Sequence, residues 1–326
     1  MQGYHIVNYW EGKVKIKQLS VPRFFGGPLD GVTDSPFRQL VREFSQQELL
    51  YTEMRHVACV ANDKGGTKAL VFEQGERPLN YQVTTNGIEF IEQACVKIIA
   101  AGVDCIDLNI GCPAKNVVGS GSGSALMADV ALLEKVLKLF KKNIGELPFT
   151  VKMRAGFKEI NALEVAKLAQ DCGVDAIAIH PRSRGQKFSG MPDYDLASQV
   201  KQAVNIPVLF SGGVVDFSSA KFVYEQTGVD GFLIGRGMWA RAWKLKELRE
   251  HSLGREFEVD KKTILHCALR HLDGMLEYYG DKGLYCFRKH LPYYIKGMES
   301  AGQLRKKLCC SESVQEVKEG LQSFLG

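Results

Sequence analysis

The chain has 326 residues, 45% of them hydrophobic and 24% charged. That is the balance of an ordinary globular protein, with room for one large barrel or a large domain plus a small one. No apolar run is long enough to span a bilayer, so no membrane association is expected. The opening Met1-Gln2-Gly3-Tyr4-His5 has no basic patch followed by an apolar stretch, so a secretory leader is not expected and a cytoplasmic location is. The 9 cysteines are odd in number and form no CxxC pair, which argues against a disulfide framework or a zinc site.

From residue 23 to about 240, short β-rich runs alternate with amphipathic helical stretches. The strand candidates are 24–28, 49–52, 80–84, 105–109, 149–153, 176–180, 207–211 and 231–234. Helical patterns fall between them, for example at 87–101, 129–142, 161–171 and 218–227. Eight βα units in a little over 200 residues predict a (β/α)8 TIM barrel, at 23–245 behind an N-terminal extension, 1–22. A doubly wound sheet is the alternative, usually with fewer strands. After Trp243 the strand-like runs stop, and 246–326 reads as a smaller all-helical domain. Its stretch from Lys261 to Lys307 is basic, opposed only by Asp273, Glu277, Asp281 and Glu299. A solvated helix surface accounts for that as readily as a polyanion footprint does.

Polar residues cluster just after the strands, on the face where barrels carry their active sites. Cys112, in Leu108-Asn109-Ile110-Gly111-Cys112-Pro113-Ala114-Lys115, sits on the loop leaving a buried strand, where a thiol can give or take a proton. Lys152, in Thr150-Val151-Lys152-Met153-Arg154, is costly inside a β-run unless it faces an anion, such as the N1–O2 edge of a reduced flavin. The alternative is a lysine snorkelling out at the rim. Gln82 offers a donor and an acceptor to a ring edge, or simply ends a sheet hydrogen bond. His180 closes the sixth strand and can bond a cofactor or a pyrimidine edge. Gly212-Gly213 and Gly235-Arg236-Gly237 follow strands seven and eight, the usual barrel site for a phosphate. In 28–38, Asp34 or Thr33 can cap a helix with Pro36 in its first turn, which leaves the backbone of Pro28, Leu29 and Asp30 free to line a ligand. No HxxxH or HExxH pattern points to a metal.

Gly27-Pro28-Leu29-Asp30-Gly31-Val32-Thr33-Asp34-Ser35-Pro36-Phe37-Arg38 and Asp107-Leu108-Asn109-Ile110-Gly111-Cys112-Pro113-Ala114-Lys115 together resemble the signatures of the bacterial tRNA-dihydrouridine synthases, nearest their B-type branch. The resemblance runs from about residue 20 to the C-terminus. It implies FMN contacts from Pro28, Leu29, Asp30, Gln82, Lys152, His180, Ser211, Gly212, Gly213, Gly235 and Arg236. It makes Cys112 the general acid, and it gives substrate contacts to Asn109, Arg288 and Lys289. Arg154, at the end of strand five, and Arg182, on the loop after strand six, are further substrate-contact candidates, Arg182 equally an ordinary solvated rim charge. Ser211 stands where the family usually has Asn, and Thr84-Thr85 replaces a usual glycine. The implied reaction uses NADPH or NADH to reduce the flavin, then adds hydride to C6 and a proton to C5 of a tRNA uridine. A monomer binding tRNA is expected, with no metal. Two rivals stand beside this reading: a flavoenzyme acting on a free pyrimidine, and a tRNA-binding protein without catalysis.

Overall fold

The structure is a computed structural model and describes residues 9–65, 68–299 and 301–326. The expectation of no leader at Met1–His5 therefore lies outside the described residues. The first elements are a feature the sequence reading left unstructured. Strands β1 (Lys13–Ile16) and β2 (Leu19–Pro22) pair antiparallel, joined at Lys17 and Gln18. Lys17 takes a positive φ of 53°, as two-residue hairpin turns of this kind demand. The alternation of β1 buries Val14 and Ile16, which join Val21, Phe25, Leu49, Tyr51, Leu209 and Leu233 in one apolar cluster.

All eight expected barrel strands form. They are β3 (Phe24–Gly26), β4 (Leu50–Tyr51), β6 (Leu79–Thr84), β7 (Cys105–Ile110), β8 (Phe149–Arg154), β9 (Ala176–His180), β10 (Val208–Ser211) and β11 (Gly231–Ile234). Every pairing between them is parallel, and β3 pairs both β4 and β11, which closes the cylinder. A short extra strand, β5 (Arg55–His56), pairs with the upper end of β6.

The strand period of two then decides which residues face inward. Leu79, Tyr81, Val83, Ile106, Leu108, Phe149, Val151, Ile177 and Ile179 join the apolar cluster that includes the surrounding helices. Their neighbours of opposite parity point into the cylinder: Asn80 and Gln82, Asp107 and Asn109, Thr150 and Lys152, Ala178 and His180. Alternation alone thus delivers Asn109, Lys152 and His180 to the C-terminal end of the barrel interior.

The outer helices are α1 (Ser35–Arg42), α2 (Val57–Ala61), α3 (Ile91–Ala101), α4 (Lys115–Gly119), α5 (Val130–Ile144), α6 (Ala162–Asp171), α7 (Tyr194–Ala203), α8 (Phe217–Thr227) and α9 (Lys244–Ser252). Aspartates start several of them. Asp34, Asp129, Asp193 and Asp216 each accept a backbone N–H from the first turn. α3 begins at Ile91 rather than at the expected 87, because Phe90 takes a left-handed φ of 66° that no helix can absorb. α9 packs on β3 and buries Leu245 and Leu248, so the expected division at 245/246 falls inside a helix of the barrel ring.

The helical region proper comprises α10 (Lys261–Tyr279), α11 (Gly283–Phe287), α12 (Leu291–Tyr294), α13 (Ala301–Leu308) and α14 (Val314–Leu325). α10 is its axis, packing against α1, α11 and α14. Gly283 has to be glycine, since a Cβ there would lie 2.5 Å from the carbonyl oxygen of Met275. The seam with the barrel is mixed in character. His271 and His290 are fully buried with Phe37 and Phe287, while the Tyr279 hydroxyl donates to Asp34 at 3.0 Å. Burial pushes the His271 pKa down to about 3, so it stays neutral.

Candidate active site

A cavity of about 600 Å³ opens at the C-terminal end of the barrel. The ends of six of the eight barrel strands contribute to it. Pro28, Leu29 and Asp30 come from the loop after β3, Asn109 and Cys112 from β7 and its loop, Lys152 and Arg154 from β8. His180 comes from β9, Ser211, Gly212 and Gly213 from β10, and Gly235 and Arg236 from β11. Two further residues, Tyr293 and Lys296, reach it from the helical region.

Beneath the cavity lies a buried polar chain. Asp107 accepts hydrogen bonds from the Thr150 hydroxyl (2.6 Å) and the Gln82 amide (2.7 Å). Asn109 donates to the Gln82 oxygen at 3.0 Å, and its own oxygen accepts the backbone N–H of Gly111 and of Cys112. Gln82 does not line the cavity, and both ends of its amide are used within this chain. It supports Asn109 from below.

Lys152 is the charge of the site. Among the described residues it makes no ion pair or hydrogen bond. Burial and then the neighbouring Arg154 lower its pKa to about 8, against the opposing pull of Asp107 and Cys112. Burial raises Asp107 to about 6, opposed by its bonds from Thr150 and Gln82 and by the Lys152 charge. An ammonium left without a partner at the foot of a cavity is suited to an anion.

Gly212 and Gly213 both have positive φ, 111° and 80°. No acceptor among the described residues takes the backbone N–H of Gly212, Gly213 or Gly235. Free N–H groups on two adjacent loops, with Arg236 beside them, form a cradle for an anionic group. The Arg236 guanidinium lies 4.4 Å from the ring centre of Phe188, and that of Arg154 lies 5.6 Å from the same ring.

Four expected contacts stand apart from the cavity wall. Gln82 is one. Arg182 is buried, bonded to His180 and to the carbonyl of Gly190. Arg288 donates to the carbonyl of Ser311, which ties α11 to the start of α14. Lys289 is exposed, with its ammonium directly over Gly31, where a Cβ would meet it at 2.6 Å. Conversely, the sequence reading missed Phe188, Trp239, Arg241, Tyr293 and Lys296 on the cavity wall. Trp239 and Tyr293 stack at 4.4 Å with planes 12° apart, joining the barrel to α12 at the rim. Arg241 and Lys296 are exposed and have no carboxylate partner among the described residues. The surplus of cations between Lys261 and Lys307 hinted at Lys296, and nothing in the sequence singled out Arg241. The described residues hold no cluster suited to a metal ion, and no helix long and apolar enough to cross a membrane.

The comparisons with known proteins agree with this geometry. The family model described as dihydrouridine synthase (Dus) matches residues 26–325. A probable tRNA-dihydrouridine synthase 1 from Synechocystis is 33% identical over 97% of this chain and 90% of its own length. A tRNA-dihydrouridine synthase B from Pseudomonas putida is 31% identical over 91% of this chain and 89% of its own. Among solved structures, an old yellow enzyme homologue from Zymomonas mobilis superposes with a TM-score of 0.56 at 12% identity, over 76% of this chain and 93% of that one, which supports the barrel fold alone. With both the barrel and the helical region inside the match, this chain belongs to the dihydrouridine synthase family.

Proposed function

We propose that the chain reduces the C5–C6 double bond of uridines in tRNA to dihydrouridine, with FMN as cofactor and NADPH or NADH as the source of hydride. One observation carries this reading. A thiol, Cys112, shares one cavity with an ammonium that lacks a partner, Lys152, and with free N–H groups at Gly212, Gly213 and Gly235. That set of donors fits a flavin mononucleotide, and a volume of about 600 Å³ lies in the range of ligand pockets. Gly212, Gly213, Gly235 and Arg236 hold the phosphate. Lys152 faces the edge of the ring that becomes negative on reduction. Ser211, His180 and the backbone of Pro28, Leu29 and Asp30 complete the seat. When bound, the flavin supplies hydride to C6 of the uracil.

The remaining work falls to the chain itself. Cys112 gives its proton to C5. A thiol carries a proton that it can donate, so it can serve as an acid. Asn109 fixes the loop that carries it. Arg154 steadies the same loop by donating to the carbonyl of Gly111 at 2.8 Å. Lys296 and Arg241 at the cavity wall, and Lys289 beyond it, meet the phosphates of a tRNA whose target base is drawn out of its stack. A monomer working in the cytoplasm, where tRNA resides, completes the reading. The test is to purify the protein, record its absorbance for a flavin band, and follow NADPH and NADH oxidation with unmodified tRNA and with free uridine. A flavin band with turnover on tRNA alone is expected. Turnover on free uridine moves the reading to a free-pyrimidine enzyme, and no flavin and no turnover to a binding protein.

A further inference from the structure

We propose that Arg182 is a positioning residue that holds His180 as the neutral Nδ1–H tautomer, so that His180 meets its ligand only as a hydrogen-bond donor to an oxygen. The proposal rests on the reading that this cavity is the active site.

The geometry is specific. The Arg182 Nη1 lies 2.9 Å from His180 Nε2. A guanidinium has donors and no acceptor, and it does not lose its charge in a protein. The bond therefore requires Nε2 to accept. A neutral imidazole carries one ring proton, so that proton is on Nδ1. Arg182 cannot swing away to release Nε2, because its Nε and Nη2 both donate to the carbonyl of Gly190, at 3.1 and 2.8 Å. The ring is held from the other loop as well. A Cβ on Gly212 would lie 2.8 Å from both Cδ2 and Nε2 of His180, so the main chain of Gly212 abuts that edge. Its φ of 111° also bars other residues. The Nδ1–Cε1 edge is thereby the one turned away from Gly212 and Arg182.

The surroundings oppose a second ring proton. The charged groups acting on His180 are Lys152 and Arg154 of β8, Arg182 of its own loop and Arg236 after β11, all cationic. Burial first, then these four charges, push its pKa down to about 2. His180 therefore has no proton to deliver at neutral pH, although histidine is the commonest general acid. That leaves protonation of C5 to Cys112. His180 instead presents a fixed N–H to a carbonyl oxygen and repels an amino group at the same place, so Arg182 shapes which ring edge the site accepts. This assigns Arg182 a place inside the protein rather than on the RNA.

The test uses protein labelled with 15N-histidine, as purified, with the His180 signals assigned by their loss in His180→Gln. The wild type should show a protonated Nδ1 and a bare Nε2, unchanged from pH 8 to pH 5.5. In Arg182→Met, which leaves Nε2 without its donor, the two ring-nitrogen signals should converge toward a mixture of both neutral tautomers at every pH from 8 to 5.5. Turnover on tRNA should then fall severalfold in kcat across that range, with KM little changed. Arg182→Lys, which restores a cation and a donor, should recover part of the loss. An Nε2–H tautomer or a charged ring in the wild type overturns the proposal, whatever the variants do. So does an Arg182→Met protein whose His180 signals match the wild type. If the tautomer is as stated and no tRNA is reduced, the proposed function fails and the role of Arg182 stands.

Discussion

The side-chain oxygen of Asn109 accepts the backbone N–H of Cys112 at 2.8 Å and that of Gly111 at 3.0 Å. Asn109 is itself held by Gln82, and Gln82 by the fully buried Asp107. The thiol loop is thus anchored to the barrel interior by three inward-facing side chains from two adjacent strands.

Asn109→Ala removes the anchor and strands the oxygen of Gln82. A misplacement of about 1 Å at a reacting group costs on the order of 10²-fold in rate. The variant should keep its flavin and lose about that much kcat, measured under single-turnover conditions with tRNA. Loss of flavin instead would assign Asn109 to the cofactor seat.

Lys152 sets a pH dependence on cofactor binding. Its pKa near 8 in the free protein means the ammonium is present below that pH and lost above it. An anionic ligand favours the charged lysine, so binding above pH 8 must take up a proton and weakens as pH rises. FMN affinity, followed by fluorescence quenching from pH 6.5 to 9.5, should be level to about pH 8 and then fall. Lys152→Met should bind more weakly and show no such fall.

Much of this was legible in the sequence, because strand parity and chain order are local properties. The period of two in 149–153 and 176–180 puts Lys152 and His180 inside the barrel, whatever the barrel holds. The β1–β2 hairpin was missed because Lys13-Val14-Lys15-Ile16 reads as strand only when there is a surface for Val14 and Ile16 to cover. Gln82 and Arg182 were expected to touch ligand, and they bond to protein groups. Residue type shows that a buried polar group needs a partner, not which one it finds. Tyr293 and Lys296 were invisible for the opposite reason. Only the docking of the helical region onto α1 brings them to a cavity built from distant strands.

Asp34 governs stability at the seam. Burial, then the Glu53 charge, raise its pKa from 3.8 to about 7, against the N–H of Phe37 and the Tyr279 hydroxyl, which lower it. A raised carboxyl contributes stability that is full below the unfolded value and is lost as pH rises through the folded one. The melting temperature should therefore fall from pH 6 to pH 8, by about 2–4 °C for each kcal/mol lost. Asparagine also caps helices well, so Asp34→Asn should flatten this decline. Thermal melts of both proteins at matched pH provide the comparison.

The basic rim should show in the salt dependence of tRNA binding. Lys289, Lys296 and Arg241 are exposed and have no carboxylate partner among the described residues. Replacing any one with alanine should weaken binding across tRNA sequences and lower the slope of log K against log salt by about 1. Arg288→Ala should leave that slope unchanged and lower thermal stability, since its guanidinium is part-buried and its Nη2 donates to the Ser311 carbonyl. Filter binding at several salt concentrations separates the two classes.

The most direct measurement is a nucleotide-resolution map of dihydrouridine in total tRNA from cells lacking this gene, complemented with the wild type or with Cys112→Ala. The account predicts loss at defined positions, full restoration by the wild type, and initial rates about 10²–10⁴-fold lower with Cys112→Ala. A map unchanged by deletion, in cells with no redundant enzyme, would contradict it, and equal restoration by Cys112→Ala would remove the thiol from the chemistry.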